Sequence, residues 1–378
     1  MKLCVLVNDT PHGVMGLRAR NLIAPLSAAH EVGIFYRESG KVEALRRFSQ
    51  VLREQRPDLV YVMNVGYAGG GAVLLARAIR GTRFILDHGD PSYDLLKSNG
   101  RPAWESWLVR LAEWTMIRAA SAVVARGAFL AETLRQQRPD RVFFIPDGVD
   151  TTRFKPLDVS AFRRQSGLDG ALTIGVVGSL VWSDRYQMCY GWDILEALRL
   201  LKTHDVRGII VGDGSGLPYL QQRAQEYGIA DRVWFAGRVP HDDVPRYINL
   251  MDVCVSTQTN DAVGQSRTTA KLPEYLACGR FIIATDVGGA RQVIHENGLL
   301  LPYTGVYDPA HPQRLAAQLE WLSQHRAALE RGMLGVAIAR QRFEYARLTA
   351  ELKAVIEMVI GSQGSVMENT PHMDKYVF

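Results

Sequence analysis

Cysteine is scarce in this 378-residue chain: Cys4, Cys189, Cys254 and Cys278 are the four, and none belongs to a Cys-x-x-Cys pair. Scattered singly, they argue against a disulfide framework or a bound metal and imply a reduced, cytoplasmic setting. Long apolar runs are missing too. The longest are broken by Gly, Arg or Asp, so none reads as a membrane span. The apolar part of Met1-Lys2-Leu3-Cys4-Val5-Leu6-Val7 is too short for a signal peptide and meets Asn8-Asp9 at once, which fits a first buried strand better. No arginine-rich tail or aromatic RNA-binding signature occurs, so nucleic acid is not an expected partner. The fingerprint GxGxxG is absent after the first apolar run, which disfavours a nicotinamide dehydrogenase. There is no low-complexity segment.

What is present is a mild basic excess, with 44 Lys and Arg against 39 Asp and Glu and a formal charge of +5. That balance suits phosphate-bearing ligands or an anionic membrane surface. The length suggests about two domains. Short apolar runs alternate with helical patterns: Leu3–Val7, Val32–Phe35, Leu59–Met63, Phe84–Leu86, Ala122–Val124 and Val142–Ile145. A second series follows: Leu172–Val177, Gly208–Val211, Val233–Phe235, Val253–Val255, Phe281–Ala284 and Leu299–Leu301. This is the signature of βαβ units, so the expected fold class is α/β with two Rossmann-like, doubly wound parallel sheets. The turn-rich stretch Pro146–Pro156, or slightly later Asp169-Gly170, marks the junction. The expected domains are 1–165 and 166–345. Two long charged helices are expected between about His311 and Gly361, the last part (346–361) crossing back to the first domain, with 362–378 a flexible tail.

In such folds ligands bind beyond the carboxyl ends of the strands, here in a crevice between the domains. The loop Asn8–Arg18 carries Gly13 and Gly16, which either let the backbone approach a sugar or phosphate or belong to an ordinary βα loop. Glycine also follows three strands of the second half, at Gly178-Ser179, Gly212-Asp213-Gly214 and Gly237-Arg238-Val239. Most informative is Lys271-Leu272-Pro273-Glu274-Tyr275-Leu276. Pro273 is tolerated only in a first helical turn, so a helix begins near Ala270–Leu272. Its N-terminal dipole, with Arg267 and Lys271, forms a candidate anion site. Lys271 and Glu274 share one face, either as a surface pair or turned to a ligand, with phosphate at the lysine and sugar hydroxyls at the carboxylate. Trp104, Trp107, Leu108, Leu111 and Trp114 form one helical stripe, expected to pack on the first sheet, the other reading being a membrane surface.

Several of these segments resemble one family. Ile145-Pro146-Asp147-Gly148-Val149-Asp150 with Phe154-Lys155-Pro156, Val211–Gly214, Val233–Val239, Lys271–Gly289 and Ile294–Leu301 are similar to the family-4 retaining glycosyltransferases of GT-B fold, along nearly the whole chain. The resemblance implies transfer of a sugar from a nucleotide-diphospho-sugar of UDP or GDP type to a glycan, lipid-linked or small-molecule acceptor, in cell-surface polysaccharide or glycoconjugate synthesis. It implies retention of configuration and no metal or other cofactor, with positive groups stabilising the diphosphate leaving group. It places Glu274 on the ribose hydroxyls and Arg238-Val239 at the base. Gly178, Ser179, Arg185, Gly212, Arg267, Thr268, Thr269, Ala270, Lys271 and Leu272 complete the donor site. His88 and Lys271 are the implied catalytic residues, and His12, Gly13, Gly16 and Asp90 the acceptor-binding ones. His88 has a second reading, a loop histidine held by a structural hydrogen bond.

Three positions depart from the family pattern. Ser266 stands where a second glutamate is usual, eight residues before Glu274. Ser179 and Tyr190 stand where an arginine and a lysine are usual. No metal-binding DxD motif is convincing: Asp184, Asp213 and His241-Asp242-Asp243 read as loop or cap residues. These departures keep a non-catalytic or partner-dependent scaffold open as an alternative. A nucleotide-sugar epimerase is another, although the chain lacks a carboxylate-rich constellation. As partners, the reading allows peripheral contact with an anionic membrane at the inner face of the cell membrane, and a monomer or homodimer.

Overall fold

A computed structural model describes residues 1–361 apart from Asn99, His204 and Thr268; of Ser98 only the backbone is described. Thr268 and the expected tail 362–378 thus lie outside the described residues. The chain forms two compact units. The first comprises Met1–Gly148 together with the chain from Tyr345, and the second Val149–Glu344.

In the first unit, strands β1 (Lys2–Val7), β2 (Glu31–Tyr36), β3 (Leu59–Met63), β4 (Phe84–His88), β5 (Ala122–Ala125) and β6 (Val142–Phe144) form one sheet in the order β2-β1-β3-β4-β5-β6. Every pairing is parallel. In the second, β7 (Leu172–Val177), β8 (Val206–Val211), β9 (Val233–Gly237), β10 (Val253–Ser256), β11 (Phe281–Thr285) and β12 (Gly298–Leu301) pair in parallel in the order β12-β11-β10-β7-β8-β9. Each apolar run of the sequence is one strand. They are continuous rather than alternating because helices cover both faces of a parallel sheet: the inner strands β3, β4, β5, β10 and β11 are buried throughout, while the edge strands β2 and β9 are mostly half-buried. Fully burying each Val, Leu, Ile or Phe contributes about 1.5–3 kcal/mol, against about 1–2 kcal/mol per residue of lost backbone entropy.

On one face of the first sheet, Ala44, Phe48 and Leu52 of the Lys41–Gln55 helix and Met116 and Ile117 of the Ala103–Ala119 helix share a core with Leu6, Val60, Val62 and Leu86. On the other, Leu348, Leu352, Val355 and Ile356 of the Tyr345–Gly361 helix join Leu3, Val5 and Ile85. That last helix is tied to the unit by Thr349 Oγ1 donating to the Leu22 carbonyl (2.9 Å) and Arg83 Nη1 to the Val359 carbonyl (2.9 Å).

The boundary between Gly148 and Val149 lies within the turn-rich stretch Pro146–Pro156, whereas the expected junction at 165/166 falls inside the second unit, because Phe154 and Leu168 bury themselves with Ile248, Leu250 and Tyr275. Phe162 also meets Trp234 and Tyr247 edge-on, at 5.9 and 5.4 Å between ring centres. The two long helices expected after His311 are instead four segments: helix His311–Gln324, a 3-10 stretch Arg326–Met333, and helices Leu334–Arg342 and Tyr345–Gly361. Within the 3-10 stretch Gly332 packs on the start of β11, where a Cβ would lie 2.4 Å from the Phe281 backbone nitrogen.

The chain reverses direction across β1/β3 in the first sheet and across β7/β10 in the second. At such switch points neighbouring connections leave to opposite faces, which opens a cleft beyond the carboxyl ends of the strands.

Candidate active-site residues

At the β7/β10 switch point of the second unit, three strand ends are stitched together. Gly178 N–H donates to the Val211 carbonyl (3.0 Å), Gly212 N–H to Gly237 (2.8 Å) and Leu180 N–H to Asp213 (3.0 Å). Gly212 has φ +140° and a Cβ on it would sit 1.8 Å from the Gly178 carbonyl oxygen, so only glycine fits. Gly178, Gly212 and Gly237-Arg238 are thereby brought to one end of the sheet. Ser179 and Arg238 are exposed there and Val239 is half-buried. Arg185 sits in the β7-to-Trp192 loop, exposed, with its guanidinium 5.3 Å from the Tyr186 ring centre.

The helix Lys271–Ala277 starts where Pro273 requires. Leu272, Tyr275 and Leu276 are buried, and the Tyr275 hydroxyl accepts the Val177 N–H (2.8 Å), fastening this helix to the end of β7. With seven residues it carries little macrodipole, so the lysine itself supplies the positive charge.

Lys271 is not half of a surface pair. It is 8% exposed, and its ammonium lies 3.4 Å above the Tyr190 ring centre with no hydrogen-bond acceptor. A methyl group placed on Gly178 would be 3.4 Å from its Nζ. Burial holds its pKa below the usual lysine range, opposed by Tyr190, Asp193 and Glu274 and reinforced by Arg267. Tyr190, which stands where the family usually has a lysine, thus faces the Lys271 charge with its π-cloud. Its hydroxyl accepts from Gln258 Nε2 (3.0 Å).

Buried Asp193 stands beside them. Burial pushes its carboxyl up, but His311, Thr257 and the Ile194 N–H outweigh that and hold it below the carboxylate range. Tyr190, Asp193, Gln258 and His311 were not nominated from the sequence; the only local signal was Tyr190-Gly191 ahead of a helix.

The preceding segment Gly264–Arg267 is gripped by the glycine turn after β11. Gly289 N–H donates to the Arg267 carbonyl (3.1 Å), and a Cβ on Gly288 would lie 2.6 Å from the Gly264 oxygen. Ser266 is buried and its hydroxyl donates to the Ala262 carbonyl (2.6 Å), so it serves its own helix. Thr269 and Ala270 are half-buried just before Lys271, and Glu274 is half-buried one turn beyond.

In the first unit, the carboxyl ends of β1, β3, β4 and β6 converge on a buried polar network. Arg18 is fully buried. Its Nε donates to Asp87 (2.9 Å), Nη1 to the Pro146 carbonyl (2.7 Å) and Asp147 (3.1 Å), and Nη2 to the Ile145 carbonyl (2.9 Å). The Tyr61 hydroxyl donates to the same Asp87 oxygen (2.7 Å). Burial lowers the Arg18 pKa, yet Asp87 and Asp147 more than reverse this, so it stays charged. Arg126 lies against Gly89 and reaches Asn64 Oδ1 at 3.2 Å. Sequence reading found Ile145–Asp150 and Asp87–Asp90 but not Arg18, Tyr61 or Arg126, whose partners are distant in the chain.

His88 ends β4, buried, with Nε2 at 2.9 Å from Glu113 Oε1 and Nδ1 without a partner. The structural hydrogen bond is therefore present. Glu113 also accepts the Ser92 N–H (2.9 Å). Burial pushes its carboxyl up, but the His88 bond and charge and the backbone N–H groups hold it below its usual value. A depressed carboxylate contributes stability above its unfolded pKa, about 4.3, and loses it as pH falls through the folded value. Glu113→Gln should therefore flatten the acid limb of thermal stability below about pH 4.3; an unchanged limb would contradict this assignment.

His12 is exposed, Gly13 half-buried, Gly16 buried and Asp90 half-buried. The two glycines have a packing reason: a Cβ on Gly13 would meet the Asp9 carboxylate at 2.1 Å, and one on Gly16 the Thr10 carbonyl at 2.3 Å.

The tryptophan stripe corrects an expectation. It does not pack on the sheet: Trp104, Trp107 and Trp114 are 68, 61 and 50% exposed, and Leu108 and Leu111 are exposed beside them. The face of this helix turned inward is Ser106, Val109, Glu113, Met116 and Ile117. Glu113 needed a buried partner, and His88 supplies it.

Two parallel six-stranded sheets of this topology define a GT-B type architecture. Sucrose-phosphate synthase from Thermosynechococcus elongatus matches it with a TM-score of 0.78 at 16% identity, covering 96% of this chain and 100% of that one. Anabaena HepE in complex with UDP and glucose matches with a TM-score of 0.74 at 18% identity, covering 95% and 100%. Residues 5–148 match the glycosyl transferase 4-like domain and 171–325 the glycosyl transferases group 1 family. The chain is 27% identical over 298 residues to a 2-deoxystreptamine N-acetyl-D-glucosaminyltransferase of Streptomyces fradiae (74% of this chain, 67% of the relative). It is 28% identical over 299 residues to a GDP-mannose-dependent alpha-mannosyltransferase of Mycobacterium tuberculosis (76% and 71%). The chain belongs to the family-4 glycosyltransferases of GT-B fold and is an enzyme of the hexosyltransferase class.

Proposed function

We propose that the second unit holds a nucleoside-diphospho-sugar and that the enzyme passes its sugar to a hydroxyl acceptor in glycan or glycoconjugate synthesis, with retention and without a metal. The observation that carries this is Lys271, a buried ammonium lacking an acceptor at the glycine-built end of β7. Burying a charge unpaired is unfavourable unless a ligand later compensates it. A diphosphate oxygen at Gly178 is such a ligand, and the named relatives and the UDP complex of HepE agree with it.

In the proposed reaction the anomeric C–O bond to the diphosphate breaks. The acceptor oxygen bonds to that carbon, and its proton passes to the departing diphosphate. Lys271, assisted by Arg267 and Arg185, counters the charge developing on the leaving group, which lowers the barrier most in a dry site. In this reading backbone at Gly178-Ser179, Gly212 and Thr269–Leu272 surrounds the phosphates. Glu274 accepts the ribose hydroxyls and Arg238-Val239 flank the base. For the first unit the same reading assigns His88 to the reacting sugar and His12, Gly13, Gly16 and Asp90 to the acceptor.

Titration calorimetry with UDP, GDP and ADP tests the donor site. At least one should bind, and Glu274→Ala should weaken it about ten- to hundredfold, the loss of charge-assisted hydrogen bonds. Affinity indifferent to Glu274, or no binding to any of the three, would reject the site. Turnover unaffected by EDTA is expected; a requirement for added Mg²⁺ would reject the metal-free mechanism.

A further inference from the structure

The exposed face of the Ala103–Ala119 helix is unlike an ordinary protein surface. Trp104, Trp107, Leu108, Leu111 and Trp114 recur on one side of it, and all stand in solvent. Single exposed apolar side chains are common, but three exposed tryptophans on one helical face are not, and tryptophan is enriched where proteins make contacts. No helix among the described residues is long and apolar enough to cross a membrane.

The charge beside the stripe identifies what it contacts. The Arg118 guanidinium lies 4.9 Å over the Trp114 ring. Arg138 Nη1 donates to carbonyls of Arg118 (3.2 Å) and Ala120 (2.9 Å), and Arg141 Nη1 to Ser121 (3.4 Å). These arginines therefore gather at the carboxyl end of the same helix, with Arg77 close enough to add to their mutual repulsion. Of the acidic groups on these elements, Glu105 is tied to Arg101 (3.1 Å) and Glu113 is buried on His88; Glu132 and Asp140 are exposed. Tryptophans that settle at the headgroup level beside a cluster of arginines fit an anionic bilayer.

A second copy of the chain fits less well. From Trp104 to Arg118 the helix is about 21 Å long and about 10 Å wide, roughly 200 Å² of surface. A stable interface needs about 800 Å² per partner.

We infer that this enzyme docks on anionic lipid bilayers through the stripe Trp104–Trp114 and the arginine cluster at its carboxyl end. The inference stands on the first unit alone and does not depend on the donor-site reading.

Flotation of the full chain with vesicles, read alongside tryptophan emission, tests it. With 30% phosphatidylglycerol in phosphatidylcholine at 0.15 M salt, the protein should float and its emission shift to the blue. With pure phosphatidylcholine, partitioning should fall at least tenfold. Trp104→Ser/Trp107→Ser/Trp114→Ser should abolish flotation while far-ultraviolet circular dichroism and thermal unfolding stay as in the wild type, since these side chains are exposed. Arg118→Glu/Arg141→Glu should remove the preference for anionic lipid, as should 0.5 M salt. No flotation on anionic vesicles, flotation unchanged in the triple variant, or a dimer by light scattering that this variant dissociates would overturn the inference. Nucleotide binding measured on the same samples reports separately on the donor site.

Discussion

Lys271→Met should lose the nucleotide while leaving the fold intact. The ammonium it removes is buried over Tyr190 and has no hydrogen-bond acceptor. In the unliganded protein its cation–π contact with Tyr190 and the attraction of Asp193 and Glu274 offset only part of the cost of burying it. Methionine, of similar length, fills the same space without that cost. The unfolding temperature of the variant should therefore equal or exceed that of the wild type, by about 2–4 °C for each kcal/mol recovered. Affinity for the tightest-binding nucleoside diphosphate should fall about ten- to hundredfold, the worth of a charge-assisted contact of about 1.5–3 kcal/mol.

The pH dependence follows from the same group. Its folded pKa is lowered by burial, so the unfolded chain binds the proton more tightly. Stability of the free protein should rise with pH from the folded value up to the unfolded one near 10.4, and this slope should vanish in Lys271→Met. Diphosphate binding favours the protonated form, so affinity should decline as pH rises through the folded value. A variant that is destabilised but binds normally would reverse the assignment and make Lys271 structural. Calorimetric titration and scanning calorimetry on one preparation decide it.

Arg18→Ala should be the most destabilising single change in the first unit. It removes a donor from Asp87, Asp147 and the carbonyls of Ile145 and Pro146 at once, leaving Asp87 the Tyr61 hydroxyl and the two carboxylates only the more distant Arg126 guanidinium, at 3.6 and 3.7 Å. Breaking a buried ion pair by removing one partner costs about 3–5 kcal/mol, because the other charge remains in a low-dielectric interior. For a unit of this size that lowers the unfolding temperature by roughly 10 °C. Asp87→Asn should do similar harm, since Arg18 then loses its main counter-charge and Tyr61 its ionised acceptor. The double change Arg18→Ala/Asp87→Asn should cost less than the two single changes added, as expected for partners in one network. Additive losses in denaturant unfolding would show that the two act separately.

Local pattern made the architecture legible. Each strand of a buried parallel sheet must be a short continuous apolar run, and each run that was read is a strand. Pro273 fixed the start of the Lys271–Ala277 helix because proline has no N–H to give to a helix interior. The glycines after β7, β8 and β9 were visible as punctuation, although only the fold shows that Gly212 touches Gly178. Less legible were contacts between residues far apart in the chain. Arg18 meets Asp147 across 129 positions, and nothing local to Arg18 sets it apart from a surface arginine. Tyr190 was visible as a departure from the family pattern, but that its ring would face Lys271 was not. The tryptophan stripe misled because periodicity shows that one face of a helix is apolar without showing which way it turns. Here Glu113, on the opposite face, turns inward to His88 and leaves the tryptophans outside.

The sequence by itself thus determined the elements, their order and the family, since these depend on hydrophobic spacing, turn residues and segments that lie together in the chain. Tertiary structure alone decided which charges are buried and with whom: Lys271 without an acceptor, Arg18 among carboxylates, the stripe in solvent. The cost of burying a charge is set by atoms that meet only when the sheet is wound, and no local stretch of sequence contains them.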